Sequence, residues 1–220
     1  MLLTALLAAS HAIVAPPTDL VRLIACDIDG TLLTPAHTVT ARTERTVLRA
    51  MSEVAFVPCT GRGRLGAYQA LGSLGRRLAE AQPPGVYLNG LITYLEGGKL
   101  LSAIALERDV GAEVAAFAAE HGITLVGFSG DRSLCESRSP WTSWLAAAHD
   151  PDPEEVGPWR SILMEHRVNK LMLLGEKERM AELRPLLAAR LGADGASLVC
   201  SGPPEMLEVR VGLYKIFVCF

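Results

Sequence analysis

A chain of 220 residues, half of them hydrophobic and 20% charged, is long enough to bury a sizeable interior, so disorder is not expected. Its formal net charge of −3 gives no basic field to recruit nucleic acid or an anionic membrane, and a small-molecule partner is the more natural expectation. The five cysteines, at 26, 59, 135, 200 and 219, are odd in number and form no Cys-x-x-Cys pair, so neither a disulfide framework nor a zinc site is indicated; most lie in apolar runs and read as small core residues.

Met1 to Val14 carries an apolar run, Leu2 to Ala9, with Ser10 and Ala12 placed for a cleavage after Ala12. No Lys or Arg precedes the run, and it is too short to span a bilayer. An export or organelle signal and an apolar leader therefore both stay open, and location is cytoplasmic unless the segment is such a signal. Pro16-Pro17 separates it from the remainder of the chain, and with no other long apolar stretch no membrane span is expected.

From Leu20 to Cys26 a nearly continuous apolar run ends at Asp27 and Gly30, the pattern of a buried parallel strand with acids at its C-terminal end. Thr40 to Ser52 has helical spacing at Val47, Leu48 and Met51, with Thr40 a candidate N-cap. Val54 to Val57 is a second short strand ended by Pro58-Cys59-Thr60-Gly61. Strand, helix, strand implies a right-handed crossover and functional loops on one rim, so Thr60 is expected beside Asp27. Gly66 to Ala81 reads as one helix, Gly85 to Leu88 as a third strand ended by the Asn89-Gly90 turn, and Leu91 to Leu106 as a hairpin through Glu96 to Lys99. Next come a helix, Val110 to Glu120, closed by His121-Gly122, and then Ile123 to Phe128 (strand), Trp141 to Ala148 (helix), Val168 to Leu174 (strand), Glu176 to Leu191 (helix), Ala196 to Cys200 and Met206 to Val211 (strands). This stretch looks like a small α+β unit, with Asp150-Pro151-Asp152-Pro153 a loop inside it.

Asp27-Ile28-Asp29-Gly30-Thr31 sets two carboxylates two residues apart at a strand end, where Gly30 permits an immediate turn. One carboxylate can attack phosphorus while the second protonates the leaving oxygen and later activates water. Two anions facing a phosphate call for a hard cation, and magnesium prefers such oxygen ligands. An Asx-type turn is the bland alternative. A calcium loop fails, because Gly30 comes two positions too early for it.

Ala25 to Leu33 resembles motif I of the haloacid dehalogenase superfamily, in particular the Cof-type phosphatases with a large cap. The resemblance implies Asp27 as nucleophile and Asp29 as general acid/base, with both as magnesium ligands, Asp29 through its carbonyl. Cys59-Thr60-Gly61-Arg62 is similar to motif II, which implies that Thr60 and Gly61 hold the phosphoryl oxygens; Arg62 would be a phosphate donor or a solvated side chain. Asn89-Gly90 resembles a family turn near the substrate. Lys170, in Asn169-Lys170, resembles a recurrent feature of such caps, yet a Lys at a strand start reads as solvated. Leu207 to Lys215 follows the outline of motif III, which makes Lys215 the candidate cation for the phosphoryl charge.

The implied fold is α/β, a Rossmann-like parallel-sheet core with an inserted α+β cap: a leader at 1–17, the first part of the core at 18–105, the cap at 106–205 and a return to the core at 206–220. After Lys215 the family continues to a Gly-Asp-x-x-Asn-Asp loop, where this chain reads Ile216 to Phe220. The expectation is a core incomplete at its C-terminus, with too few magnesium ligands and an exposed sheet edge. The implied activity is a Mg2+-dependent phosphatase for small phosphorylated metabolites such as sugar phosphates, through an aspartyl-phosphate. A catalytically impaired remnant with a binding role and a phosphomutase stay open, as does the oligomeric state.

Overall fold

The computed structural model describes residues 21–148, 150–192, 196–199 and 202–211. Strands β1 (Leu23–Cys26) and β2 (Ala55–Pro58) pair in parallel, from Leu23 opposite Ala55 to Cys26 opposite Pro58, and helix α1 (Ala41–Glu53) connects them. Thr40 is extended and its hydroxyl accepts from the Thr43 N–H (3.0 Å), satisfying one of the donors that a helix start leaves unpaired. β2 continues to a single parallel bridge, Cys59 to Val86, beside β3 (Gly85–Tyr87). β3 then turns into an antiparallel sheet with β4 (Ile92–Tyr94) and β5 (Leu100–Ala103).

The single helix expected over 66–81 is two, α2 (Arg64–Ala70) and α3 (Gly72–Ala81), divided where Gly72 takes a left-handed φ of 58°. The helices cross closely: a β-carbon on Gly75 would land on the backbone carbonyl of Tyr68. β1, whose apolar run alone reads as buried, is among the described residues an edge strand paired with β2 only, and it leaves Leu23 42% and Ile24 36% exposed.

The larger unit is a six-stranded sheet in the order β10-β11-β9-β6-β7-β8. Its strands are β6 (Thr124–Ser129), β7 (Arg132–Cys135), β8 (Glu154–Glu155), β9 (Lys170–Leu174), β10 (Ala196–Val199) and β11 (Met206–Val211), antiparallel except for β7 with β8. Helices α4 (Arg108–His121), α6 (Trp159–Glu165) and α7 (Lys177–Leu191) supply Val114, Phe117, Ile162, Leu183 and Leu187 to one face. Sequence reading misses β7, β8 and α6, each seven residues or fewer and flanked by Gly, Pro or Asp.

Period-two alternation sorts the two inner strands. Leu171, Leu173, Leu207 and Val209 face those helices, while Met172, Leu174 and Met206 join a core shared with Ile28, Leu88 and Leu145 of α5 (Pro140–Ala147). Lys170, Glu208 and Arg210 share that second face. Two expectations are corrected here. Lys170 is buried (2% exposed), not solvated, because its strand is covered on both sides. Met206 to Val211 does not leave for the first unit but lies between β9 and β10.

Candidate active site

Chain direction fixes the rim. β1 and β2 run parallel and end together, tied by the Cys59 N–H donating to the Cys26 carbonyl at 2.8 Å. After Cys26 the chain turns at once: the Ile28 carbonyl accepts from the N–H groups of Thr31, Leu32 and Leu33 at 3.3, 3.0 and 3.0 Å, and Gly30 takes a φ of 72°. Ile28, Leu32 and Leu33 are buried and anchor this turn, so Asp27 and Asp29 on either side of Ile28 are both exposed. The Ile28 N–H donates to Asp27 Oδ1 (2.7 Å), which fixes the rotation of that carboxylate.

Thr60 is buried (6% exposed) and held from three sides. Its N–H donates to the Val86 carbonyl (2.9 Å), its carbonyl accepts from Asn89 N–H (3.0 Å), and its hydroxyl accepts from Arg62 N–H (3.2 Å). Leu88 N–H donates in turn to the Arg62 carbonyl (3.0 Å), so the 60–62 and 88–90 loops are laced together. The lacing uses left-handed backbone at Leu88 (φ 50°) and Asn89 (φ 58°), and the Asn89 side chain packs on Gly61, where a β-carbon would lie 3.0 Å from its Oδ1.

Arg62 is neither solvated nor open to a phosphate in this state. Its Nε and Nη2 donate to the two oxygens of Asp29 at 2.8 and 3.0 Å, and its Nη1 donates to the Ala148 carbonyl (2.9 Å) and lies 3.9 Å from Asp150 Oδ1. Burial opposes the guanidinium charge, but the hydrogen bonds to Asp29 and the charges of Asp150 and Asp29 outweigh it and raise the Arg62 pKa. Asp150 has the opposite balance: burial raises its pKa, Arg62 and Lys170 work against the rise, and Asp29 and Glu208 add to it. Lys170 Nζ donates to Glu208 Oε1 (2.7 Å) and to the Gly61 carbonyl (3.3 Å), and stands over the Phe128 ring at 4.7 Å. Arg210 Nη1 reaches the Asn89 carbonyl at 3.5 Å, while Asn89 Nδ2, Arg210 Nε and Asp150 Oδ1 are buried without a hydrogen-bond partner among the described residues.

The structure thus brings Asp27, Asp29, Thr60, Gly61, Arg62 and Asn89 onto one rim; Lys215 lies outside the described residues. Asp150, Lys170, Glu208 and Arg210 come to that rim from the six-stranded unit, over sequence separations that no local pattern announces. The one local sign is the Asp150-Pro151-Asp152-Pro153 run, read as a loop. Burial pushes up the thiols of Cys26 and Cys59, and the Asp27 charge adds to both, which leaves them poor nucleophiles beside the carboxylates. Among the described residues no group of three or more His, Cys, Asp or Glu converges on a metal position. The Asp27 carboxylate and the Asp29 carbonyl still suit magnesium, a hard ion commonly held by one or two carboxylates with water and substrate phosphate. No helix of the described residues is long and apolar enough to cross a membrane.

A sequence profile described as haloacid dehalogenase-like hydrolase matches residues 24–209. The chloroplastic endoribonuclease YBEY of Arabidopsis thaliana is 29% identical over 195 residues, and the match covers 84% of this chain but only 33% of that protein. A HAD/COF-like hydrolase structure from Plasmodium vivax superimposes with a TM-score of 0.74 at 21% identity, covering 87% of this chain and 68% of that one. A HAD subclass IIB sugar phosphatase does so with a TM-score of 0.65 at 15% identity, covering 87% and 70%. At these identities the structural likeness speaks for the fold.

Proposed function

Since this chain belongs to the haloacid dehalogenase-like hydrolases, we propose that its rim is the site of a phosphomonoester hydrolase acting on small phosphorylated metabolites such as sugar phosphates. The observation that carries the reading is the convergence of Asp27, Asp29, Thr60 and Gly61 at the joined ends of β1 and β2. Asp27, rotationally fixed by Ile28 N–H, attacks phosphorus and forms an aspartyl-phosphate as the ester oxygen leaves. Asp29 hands that oxygen a proton, then takes one from the water that opens the aspartyl-phosphate, so one acid serves both halves. The Thr60 hydroxyl and the Gly61 backbone bind the transferring oxygens, with Lys215 a further cation for the same charge. The Asp27 carboxylate and the Asp29 carbonyl would hold Mg2+, which when bound would offset the charge of phosphate and carboxylate.

In this reading residues 18–105 form the first part of the core and the six-stranded unit is the cap, running from 106 through β11 rather than ending at 205. The cap reaches the rim through Lys170 and Arg210, which supports a role in choosing the substrate. The sugar-phosphate reading takes support from the sugar phosphatase whose fold this chain shares. The purified chain assayed with Mg2+ and 4-nitrophenyl phosphate should release phosphate. Asp27→Asn should stop release without changing the far-ultraviolet spectrum; full activity in that variant would refute the assignment.

A further inference from the structure

We infer that Asp150 is a positioning residue for Asp29, acting through Arg62; the inference rests on Asp29 being the acid of the reaction proposed above. The guanidinium of Arg62 bonds both oxygens of Asp29, at 2.8 and 3.0 Å, so each oxygen has one acceptor position filled by an N–H, and a proton carried there competes with that bond. Handing a proton to a leaving group is therefore easier once the guanidinium gives up one of them. The third nitrogen already faces the place where it can go. Nη1 is bonded to the Ala148 carbonyl and lies 3.9 Å from Asp150 Oδ1, beyond hydrogen-bond reach but within Coulombic contact.

Asp150 is built for this place. Its Oδ1 is buried and accepts no hydrogen bond, an arrangement that costs free energy unless a partner is near, and Arg62 is the nearest cation. Its seat is a slot over α2 that exists because residue 66 is glycine: a β-carbon there would collide with Asp150 Oδ1 and crowd Pro151. Pro151 restricts the backbone of Asp150 in turn, so the carboxylate is presented from a stiff support. A shift of about 1 Å brings Nη1 from its present distance to a charge-assisted hydrogen bond with Asp150. The same shift unloads an oxygen of Asp29. Asp150 and Asp29 thus share one guanidinium, and the carboxylate of Asp150 sets how the acid is presented.

The test compares leaving groups in the full chain with Mg2+. Loss of a well-presented acid harms substrates that expel a strongly basic alkoxide and spares 4-nitrophenyl phosphate, whose leaving group needs no proton. Asp150→Asn removes the negative charge that draws Nη1; Gly66→Ala keeps the carboxylate but pushes it off its seat. Each variant should lower kcat/KM for glycerol phosphate by about tenfold or more while leaving that for 4-nitrophenyl phosphate within about twofold. Equal losses on both substrates, or no loss on either, would overturn the inference. If the parent chain turns over neither substrate, the hydrolase reading fails for this chain and solvent exchange of the Arg62 Nε–H, followed by 15N NMR, decides the positioning claim by itself. Exchange about tenfold slower in both variants supports it, and unchanged or faster exchange refutes it.

Discussion

Strands β1 and β9 are both short and apolar, yet they sit in opposite surroundings. All five residues of β9 are buried between two layers, whereas β1 has no buried residue and shows Leu23 and Ile24 to solvent. The six-stranded unit buries even an ion pair, Lys170 with Glu208, on the face it packs against the first unit. The rim that carries the carboxylates is held mostly by backbone hydrogen bonds between loops, 26 to 59, 60 to 86, 62 to 88 and 60 to 89. The difference teaches that packing energy and chemistry are separated in this molecule. Substitutions in the six-stranded unit should be felt as stability, and substitutions on the rim as activity.

The largest effect expected is on the rim: Asp27→Asn should lower phosphate release by about a thousandfold or more while its unfolding midpoint in urea stays near the parent's. In the six-stranded unit the sharpest break is Lys170→Met, which leaves the Glu208 charge buried without its ammonium and should cost about 3–5 kcal/mol. Adding Glu208→Leu should recover much of that loss, measured by the same urea titration. Next, Leu173→Ala should cost about 2–5 kcal/mol through the cavity it opens. Leu23→Ser on the exposed strand should change stability by no more than about 0.5 kcal/mol. Similar losses at the two leucines would dissolve the contrast between the units. Thr40→Ala, which removes the α1 cap, should cost about 1 kcal/mol.

The smallest effect expected depends on pH. Burial raises the Asp150 pKa above its unfolded value, so its contribution is fully present below the ordinary carboxylate range and is lost as pH rises through the folded value. Asp150→Asn should accordingly gain stability relative to the parent as pH rises above the ordinary carboxylate range. A gap that narrows with rising pH would reverse the sign assigned to this carboxylate.

The rim was legible in the sequence because its logic is local. Asp27 and Thr60 come directly after short apolar strands joined by one helix, and that order alone places them side by side. Thr40 at the start of α1 and Gly122 at the end of α4 were readable for the same reason, since capping acts within one turn. The burial of Lys170 was not legible, because it depends on Glu208 arriving from β11 and on Gly61 from the other unit. Nor was the pairing of Arg62 with Ala148 and Asp150, which spans more than 80 residues and has no periodicity to betray it. The break at Gly72 and the exposure of β1 are likewise decided by neighbours that a single segment does not reveal.

The proposed mechanism stands on Asp27 as the acceptor of the phosphoryl group. Full chain mixed with Mg2+ and 4-nitrophenyl phosphate, quenched in acid and mapped by peptide mass spectrometry, tests it directly. The expected result is a phosphoryl adduct on Asp27 that is absent from Asp27→Asn. Release of nitrophenol with no adduct on Asp27, or an adduct that persists on another residue in the variant, would contradict it.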